Sequence, residues 1–197
     1  HANINLQNFA DARLDLSGVR LSRADFIEAI EGGINFVNAQ FSGINLSNID
    51  LSNLALNFRG TNFANANLSG INLNGLELTN SDFFGANLEG ASLIGTNLSN
   101  ANLASADLRN ALFSSNVADT STPPCATNQS NSSVAILENV YFAQANLSNA
   151  RMKGVNLQGA DLTSTLLIAT DLSNSCLNGA EFTGANLENT DFRRASM

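Results

Sequence analysis

The sequence predicts an all-β solenoid whose chain turns a corner every five residues, and three observations predict it. Between residues 58 and 113 a large apolar residue recurs at every fifth position, from Phe58, Phe63 and Leu68 to Leu103, Leu108 and Phe113. Within 85–111 the residue two before each Leu is small, Ala86, Ala91, Thr96, Ala101 and Ala106, and the one between is polar, Asn87, Ser92, Asn97, Asn102 and Asp107. Neither regular element buries this pattern. A five-residue step rotates by about 140° on a helix, and in one strand an odd step throws successive side chains to opposite faces. A chain that bends after each short extended piece does bury it, with amides turned to water.

The elements follow in order. Near the N-terminus Ile4, Phe9 and Leu14 fit one frame, and Leu21, Phe26, Phe36, Phe41, Leu46, Leu51 and Leu56 fit another displaced by two. A second two-residue slip precedes Phe58, so bulges or loosened corners are expected near residues 15–20 and 54–60. The run "EAIEGG", 28–33, puts Glu31 where a core residue belongs. An inward carboxylate is costly, so the expectation is a bulge or short helical turn, ended by Gly32 and Gly33, that turns Glu31 outward. After the strict block 58–113 comes 114–134, rich in Ser, Thr, Asn and Pro and without repeat, which reads as a surface loop. The repeat resumes at Leu137, Phe142, Leu147, Met152 and Leu157 and continues to Phe192, so residues 1–197 read as one domain with one long inserted loop. Eleven of the twelve Phe residues fall on the repeat's centres, and Phe84 is the exception.

Charged residues make up 13% of the chain while Asn alone occurs 31 times, so the surface is mainly amide and hydroxyl. The net charge of −8, from 17 acids and 9 bases, is spread along the chain. Such a surface avoids nucleic-acid phosphates and acidic lipids and suits basic or neutral partners. No apolar run approaches the roughly 18 residues of a membrane-spanning helix, so no membrane insertion is expected. The only His is His1, which leaves no nucleophile and histidine pair. Clustered His and Cys at metal-ligand spacing are also missing, so no catalytic residue, metal or cofactor is expected.

The pentapeptides "ANLEG", "ASLIG", "TNLSN", "ANLAS" and "ADLRN", with "ANLSN", "ADLTS" and "ANLEN" later, resemble the pentapeptide repeat family, whose motif is A(D/N)LXX. The resemblance covers nearly all of the chain outside 114–134. It implies a right-handed quadrilateral β-helix with four five-residue sides per coil, here about nine coils at ~4.8 Å each. A twenty-residue period then sets Phe63 over Phe83, Asp161 near Glu181, and Arg151 over Asp171 over Asp191. Such carboxylate pairs perturb each other's protonation, but they read as a solvated column partly neutralised by Arg151.

On the same four-sided frame Cys176 points outward in the column of Ile136 and Asn156, and Cys125 follows Pro123 and Pro124 in the loop. Both thiols are expected to be accessible. A loop of about twenty residues reaches two coils, so a Cys125–Cys176 disulfide is expected, with two free thiols as the alternative. A bridge favours export to a periplasm, a thylakoid lumen or the exterior; free thiols fit the cytoplasm. The family likeness also favours a cyanobacterial or plastid-type protein.

The expected function is a non-enzymatic structural or protein-interaction module, a rigid rod that offers its loop and neighbouring outward residues to an unknown protein partner. Pro123, Pro124, Asn128, Asn131 and Tyr141 are the candidates, and the rod is expected to be a monomer or an end-to-end dimer. Some family members mimic duplex DNA and bind type II topoisomerases such as gyrase, protecting against quinolones, which supplies the alternative. That role needs a continuous acidic stripe, whereas Asn62, Asp82 and Asn102 mix amide with acid. Arg193 and Arg194 beside the last centre are expected to discourage edge pairing.

Overall fold

The computed structural model describes residues 21–33, 36–115 and 133–197. From Gln40 onward the chain is a succession of single-residue parallel bridges separated by two-residue turns, and the bridges fall on four ladders. Face one carries Gln40, Asn62, Asp82, Asn102, Tyr141, Asp161 and Glu181, and face two carries Asn45, Asn67, Asn87, Asp107, Asn146, Leu166 and Asn186. Face three carries Asp50, Asn72, Ser92, Leu112, Arg151, Asp171 and Asp191, and face four carries Asn57, Glu77, Asn97, Ile136, Asn156, Cys176 and Ser196. Rungs are 20 residues apart over most of the chain, as from Asn62 to Asp82, and all four ladders are visited in between. Each turn of the solenoid therefore has four sides of five residues.

The backbone explains why the motif has its polar residue. Asn62 donates its N–H back to Ala39 O at 2.9 Å, while Phe63 and Asn65 donate forward to Asp82 O at 2.6 Å and Phe84 O at 2.8 Å. Ala66 then closes the corner on Phe63 O at 3.0 Å. One N–H per side is left over, that of the first corner residue. Asn62 Oδ1 accepts it from Ala64 at 2.8 Å, and Asn67, Asn87, Asn146, Asp161 and Asp171 do the same for Ser69, Glu89, Ser148, Thr163 and Ser173. The outward Asn or Asp is thus an Asx turn that satisfies its own corner. At the second corner position the backbone is left-handed, as at Asn65 (φ 58°) and Gly85 (φ 63°), which Gly and Asn tolerate best.

Inside, the Leu and Phe centres are buried and stack rung by rung. Phe63 lies over Phe83 with ring centroids 5.1 Å apart and planes 14° from parallel, the stacking the twenty-residue period predicts. Inward hydroxyls are also satisfied: Thr165, Thr170 and Ser175 donate to the carbonyls of Phe142, Met152 and Leu147 one coil back, at 2.8 to 2.9 Å, with Thr170 on Leu147 and Ser175 on Met152. Thr79 Oγ1 and Ser114 Oγ are buried without a hydrogen-bond partner, exceptions to this among the described residues.

Two irregularities match the slips in the sequence. The step from Asp50 to Asn72 is 22 residues, with Leu56 N–H turning tightly onto Leu54 O at 2.7 Å, which is the loosened corner near 54–60. The step from Asn97 to Ile136 is 39 residues. Here Ser114 and Val134 pair antiparallel and Ser115 donates to Ser133 O at 2.9 Å, so the inserted segment leaves and returns at the corner between faces three and four. The corner expected near 15–20 lies outside the described residues.

The start of the described chain differs from the expectation. Leu21 and Phe26 are buried, but they are not coil centres, because Arg23–Glu31 form a nine-residue helix, α1. Ser22 caps it, with its side chain on the Asp25 N–H and the Asp25 carboxylate on the Ser22 N–H, a reciprocal capping box. Gly32 ends it, and Glu31 is exposed as expected. The helix lies over the mouth of the coil: Phe26 packs against Phe36, Phe41 and Phe58 with centroids 5.4, 6.3 and 6.1 Å away. Arg23 ties it to face three through the Asp50 and Ser52 carbonyls. With 21–33 taken out of the coil, face one has seven rungs among the described residues, fewer than the nine coils expected of the whole chain. In the last coil the centres open to solvent, with Leu187 at 40% and Met197 at 78% exposure.

Candidate interaction face

The loop candidates Pro123, Pro124, Asn128 and Asn131, and with them Cys125, lie outside the described residues. Cys176 is on face four between Asn156 and Ser196, as its column predicts, yet it is buried, with 1% exposure. The expectation of an accessible thiol there is corrected. Its Sγ lies 3.8 Å from Asn178 Oδ1.

The ladder brings the paired carboxylates together as the period predicts, Asp161 beside Glu181 on face one and Asp171 beside Asp191 on face three. Arg151 bridges Asp171 through the backbone, but its side chain makes no ion pair with either acid among the described residues. Asp191 is instead gripped by Arg193, two residues on, at 2.6 Å, and this side-chain hydrogen bond, with the Arg193 N–H behind it, lowers its carboxyl to about 2. Asp107 and Arg109 repeat the arrangement at 2.7 Å, and Arg109 also reaches Glu89 at 3.0 Å on the rung below. The Arg109 side-chain bond holds the Asp107 carboxyl below its usual range. An acid two residues before an arginine pairs across its own corner, which a column-by-column reading missed. Among the described residues no group of His, Cys, Asp and Glu is arranged to hold a metal ion.

Tyr141 is where the sequence placed it, outward, and it is 54% exposed. It does not adjoin the root of the inserted segment. Ser114 and Val134 sit at the corner of faces three and four, and Tyr141 is a rung of face one, between Asn102 and Asp161. Phe84, which the sequence marked only as the Phe off its centre, lies on the corner between faces one and two, 47% exposed. Face one therefore gathers two exposed aromatic rings and three carboxylates, those of Asp82, Asp161 and Glu181. Asp82 Oδ1 accepts from the Phe84 N–H at 3.0 Å and from Asn102 Nδ2 at 2.9 Å, which fixes the carboxylate beside the ring. No helix among the described residues is long and apolar enough to cross a membrane.

The family model for pentapeptide repeats matches residues 8–53, 57–89, 81–115, 135–174 and 166–197 in eight copies. No curated protein sequence matches the chain. Among solved structures, trypsin-treated QnrB1, a plasmid-mediated fluoroquinolone resistance protein, is similar at 20% identity and TM-score 0.42, over 87% of this chain and 78% of that one. HetL, a pentapeptide repeat protein involved in heterocyst differentiation regulation from the cyanobacterium Nostoc sp. strain PCC 7120, is similar at 20% identity and TM-score 0.25, over 87% and 94%. A pentapeptide repeat protein of the Arabidopsis thaliana thylakoid lumen is similar at 28% identity and TM-score 0.18, over 64% and 67%.

Proposed function

The chain belongs to the pentapeptide repeat family, and we propose that it serves as a non-enzymatic structural and protein-interaction module. In this reading residues 1–197 form one domain, a right-handed quadrilateral β-helix, whose flat faces and inserted segment 114–134 meet another protein. The observation that carries it is the rooting of that segment in a ladder that keeps its register across it, from Asn97 to Ile136. A recognition loop on a rigid scaffold is how binding is commonly built. The test is a pull-down from native extract with the intact chain and with a version lacking residues 116–133. A partner held by the first and lost by the second supports the reading; identical capture by both sends the function elsewhere on the rod.

The Cys125–Cys176 disulfide and an exported, oxidising location form part of the same proposal. Supporting it, Cys176 is buried and no free cysteine occurs among the described residues. The alternative, a DNA mimic that binds a type II topoisomerase, finds less support, because Asn102 and Tyr141 interrupt the carboxylates of face one. Absence of gyrase inhibition by micromolar protein in a supercoiling assay removes it. Sedimentation over a concentration series separates monomer from end-to-end dimer.

A further inference from the structure

We infer that face one is a docking surface for a basic, extended segment of a partner protein, held by side chains alone. This rests on the reading of the chain as an interaction module and adds to it the surface and the partner's chemistry.

The first ground is what Tyr141 gives up. At the bridge position Asn or Asp caps its own corner, but Tyr141, like Leu112, Ile136 and Leu166, has no acceptor to offer, and the Ala143 N–H finds no partner among the described residues. Nothing is gained inside in exchange, since the ring is 54% exposed. Of these four bridge residues Tyr141 is the most exposed and the one aromatic ring, and a locally unfavourable residue with no structural return points to function. Phe84 is a second departure, a large ring at 47% exposure on a corner that elsewhere carries the small residues Ser42, Ala64, Ala104, Ala143, Thr163 and Thr183. It stands two rungs from Tyr141 on the ladder count, about 10 Å.

Charge decides the partner. Asp82, Asp161 and Glu181 have no cation within ion-pair distance among the described residues, as is also true of Glu77, Glu138, Asp171 and Glu188, whereas Asp50, Glu89, Asp107 and Asp191 each have one. Neither the ladder of face one nor its corner with face two holds a Lys or Arg among the described residues; the corner on the other side has Arg59, at the Asn62 end. Rings and unpaired carboxylates together suit guanidinium or ammonium groups, which stack on aromatic faces and donate to carboxylates. The backbone takes no part, because from Asn62 onward each bridge residue of face one already spends its N–H and C=O on the coil before it, and the residues flanking it bond the coil after it where one follows, so a strand cannot be added to the face. From Asp82 to Glu181 is four rungs, about 19 Å, the span of roughly six extended residues.

The test uses the full chain and a fluorescein-labelled octapeptide of alternating Arg and Gly, with the Glu and Gly counterpart as control, in about 50 mM salt where exposed charges are weakly screened. The basic peptide is expected to bind saturably and the acidic one not at all. Tyr141→Asn, and separately Asp161→Asn with Glu181→Gln, should each weaken binding about tenfold. Glu77→Gln and Glu188→Gln, on other parts of the rod, and deletion of 116–133 should leave it unchanged. Tyr141→Asn restores a corner cap, so it should melt no lower than the parent, and its loss of binding cannot then come from unfolding. Lack of saturable binding, or an equal loss with Glu77→Gln and Glu188→Gln, overturns the docking face. If the peptide fails while deletion of 116–133 still abolishes partner capture, face one is wrong and the module reading stands.

Discussion

At Gly85 an added side chain would have to push a neighbour aside: a Cβ built there would sit 2.7 Å from Asn65 Oδ1 of the coil below, whereas at Gly90 nothing lies within 4 Å. Both are left-handed, at φ 63° and 65°. Gly85→Ala and Gly90→Ala therefore share a conformational penalty of about 1–2 kcal/mol, and only Gly85→Ala must also displace the amide. Chemical denaturation should place Gly85→Ala at least ~1 kcal/mol below Gly90→Ala; equal losses would show that the Asn over Gly arrangement is incidental. Asp191 gives a pH counterpart. Its carboxyl is held at about 2 in the folded protein by the Arg193 bond, below the roughly 3.9 of an unfolded chain. Its contribution is thus complete above about pH 4 and lost as the pH falls towards 2. The effect is small, since the Arg193 side chain is 85% exposed and screened. Asp191→Asn can keep the Arg193 N–H capped and removes the titration, so melting temperature should fall less steeply from pH 4 to 2 in that variant than in the parent. The Arg193 pairing was readable in principle from the Asp-x-Arg triplets at 107–109 and 191–193, but column reasoning points at the neighbouring rung and passes over the nearer partner.

Helix α1 is the element the five-residue rule conceals. Leu21 and Phe26 are five apart and both buried, so they satisfy the period by coincidence, while Ser22 and Asp25 carry the capping box that announces a helix start. The ladder itself was legible because a corner every five residues is a purely local rule, and even its faults at 54–56 and 114–134 appear as phase slips. The burial of Cys176 was not, since the repeat's phase sets only that its side chain points outward from the coil, not how exposed it is. Covering the coil mouth is long-range in the same way. Phe26 meets three rings from Phe36, Phe41 and Phe58, and these continue into the Phe63 and Phe83 stack. Phe26→Ala should then lower stability by about 3–5 kcal/mol. Hydrogen exchange should show the loss as faster exchange of the Phe41, Leu46 and Leu51 amides, with the coils beyond Leu137 protected as before. Uniform loss along the rod would mean that α1 and the far coils unfold as one unit.

Over the whole rod, stability is a sum of neighbouring coils, and a covalent link between distant parts of the chain is the one device that escapes this locality. The proposed Cys125–Cys176 bridge is such a link. It closes a loop of about 50 residues, which in the chain-entropy estimate stabilises the folded state by on the order of 3–4 kcal/mol. That loop contains the part of the inserted segment after Cys125 and the coils from Ile136 to Cys176, so the bridge would tie the segment to face four, away from the aromatic and acidic face one. Non-reducing mass spectrometry of the denatured protein should count no free thiol, and a count of two would end the proposal. Reduction should lower the denaturation midpoint by an amount that Cys125→Ser reproduces without reductant. It should leave binding of the basic peptide to face one untouched, because the two surfaces share no rung. If reduction abolished that binding instead, the inserted segment would have to be shaping face one, and the separation of the rod into a pinned face and an open one would fall.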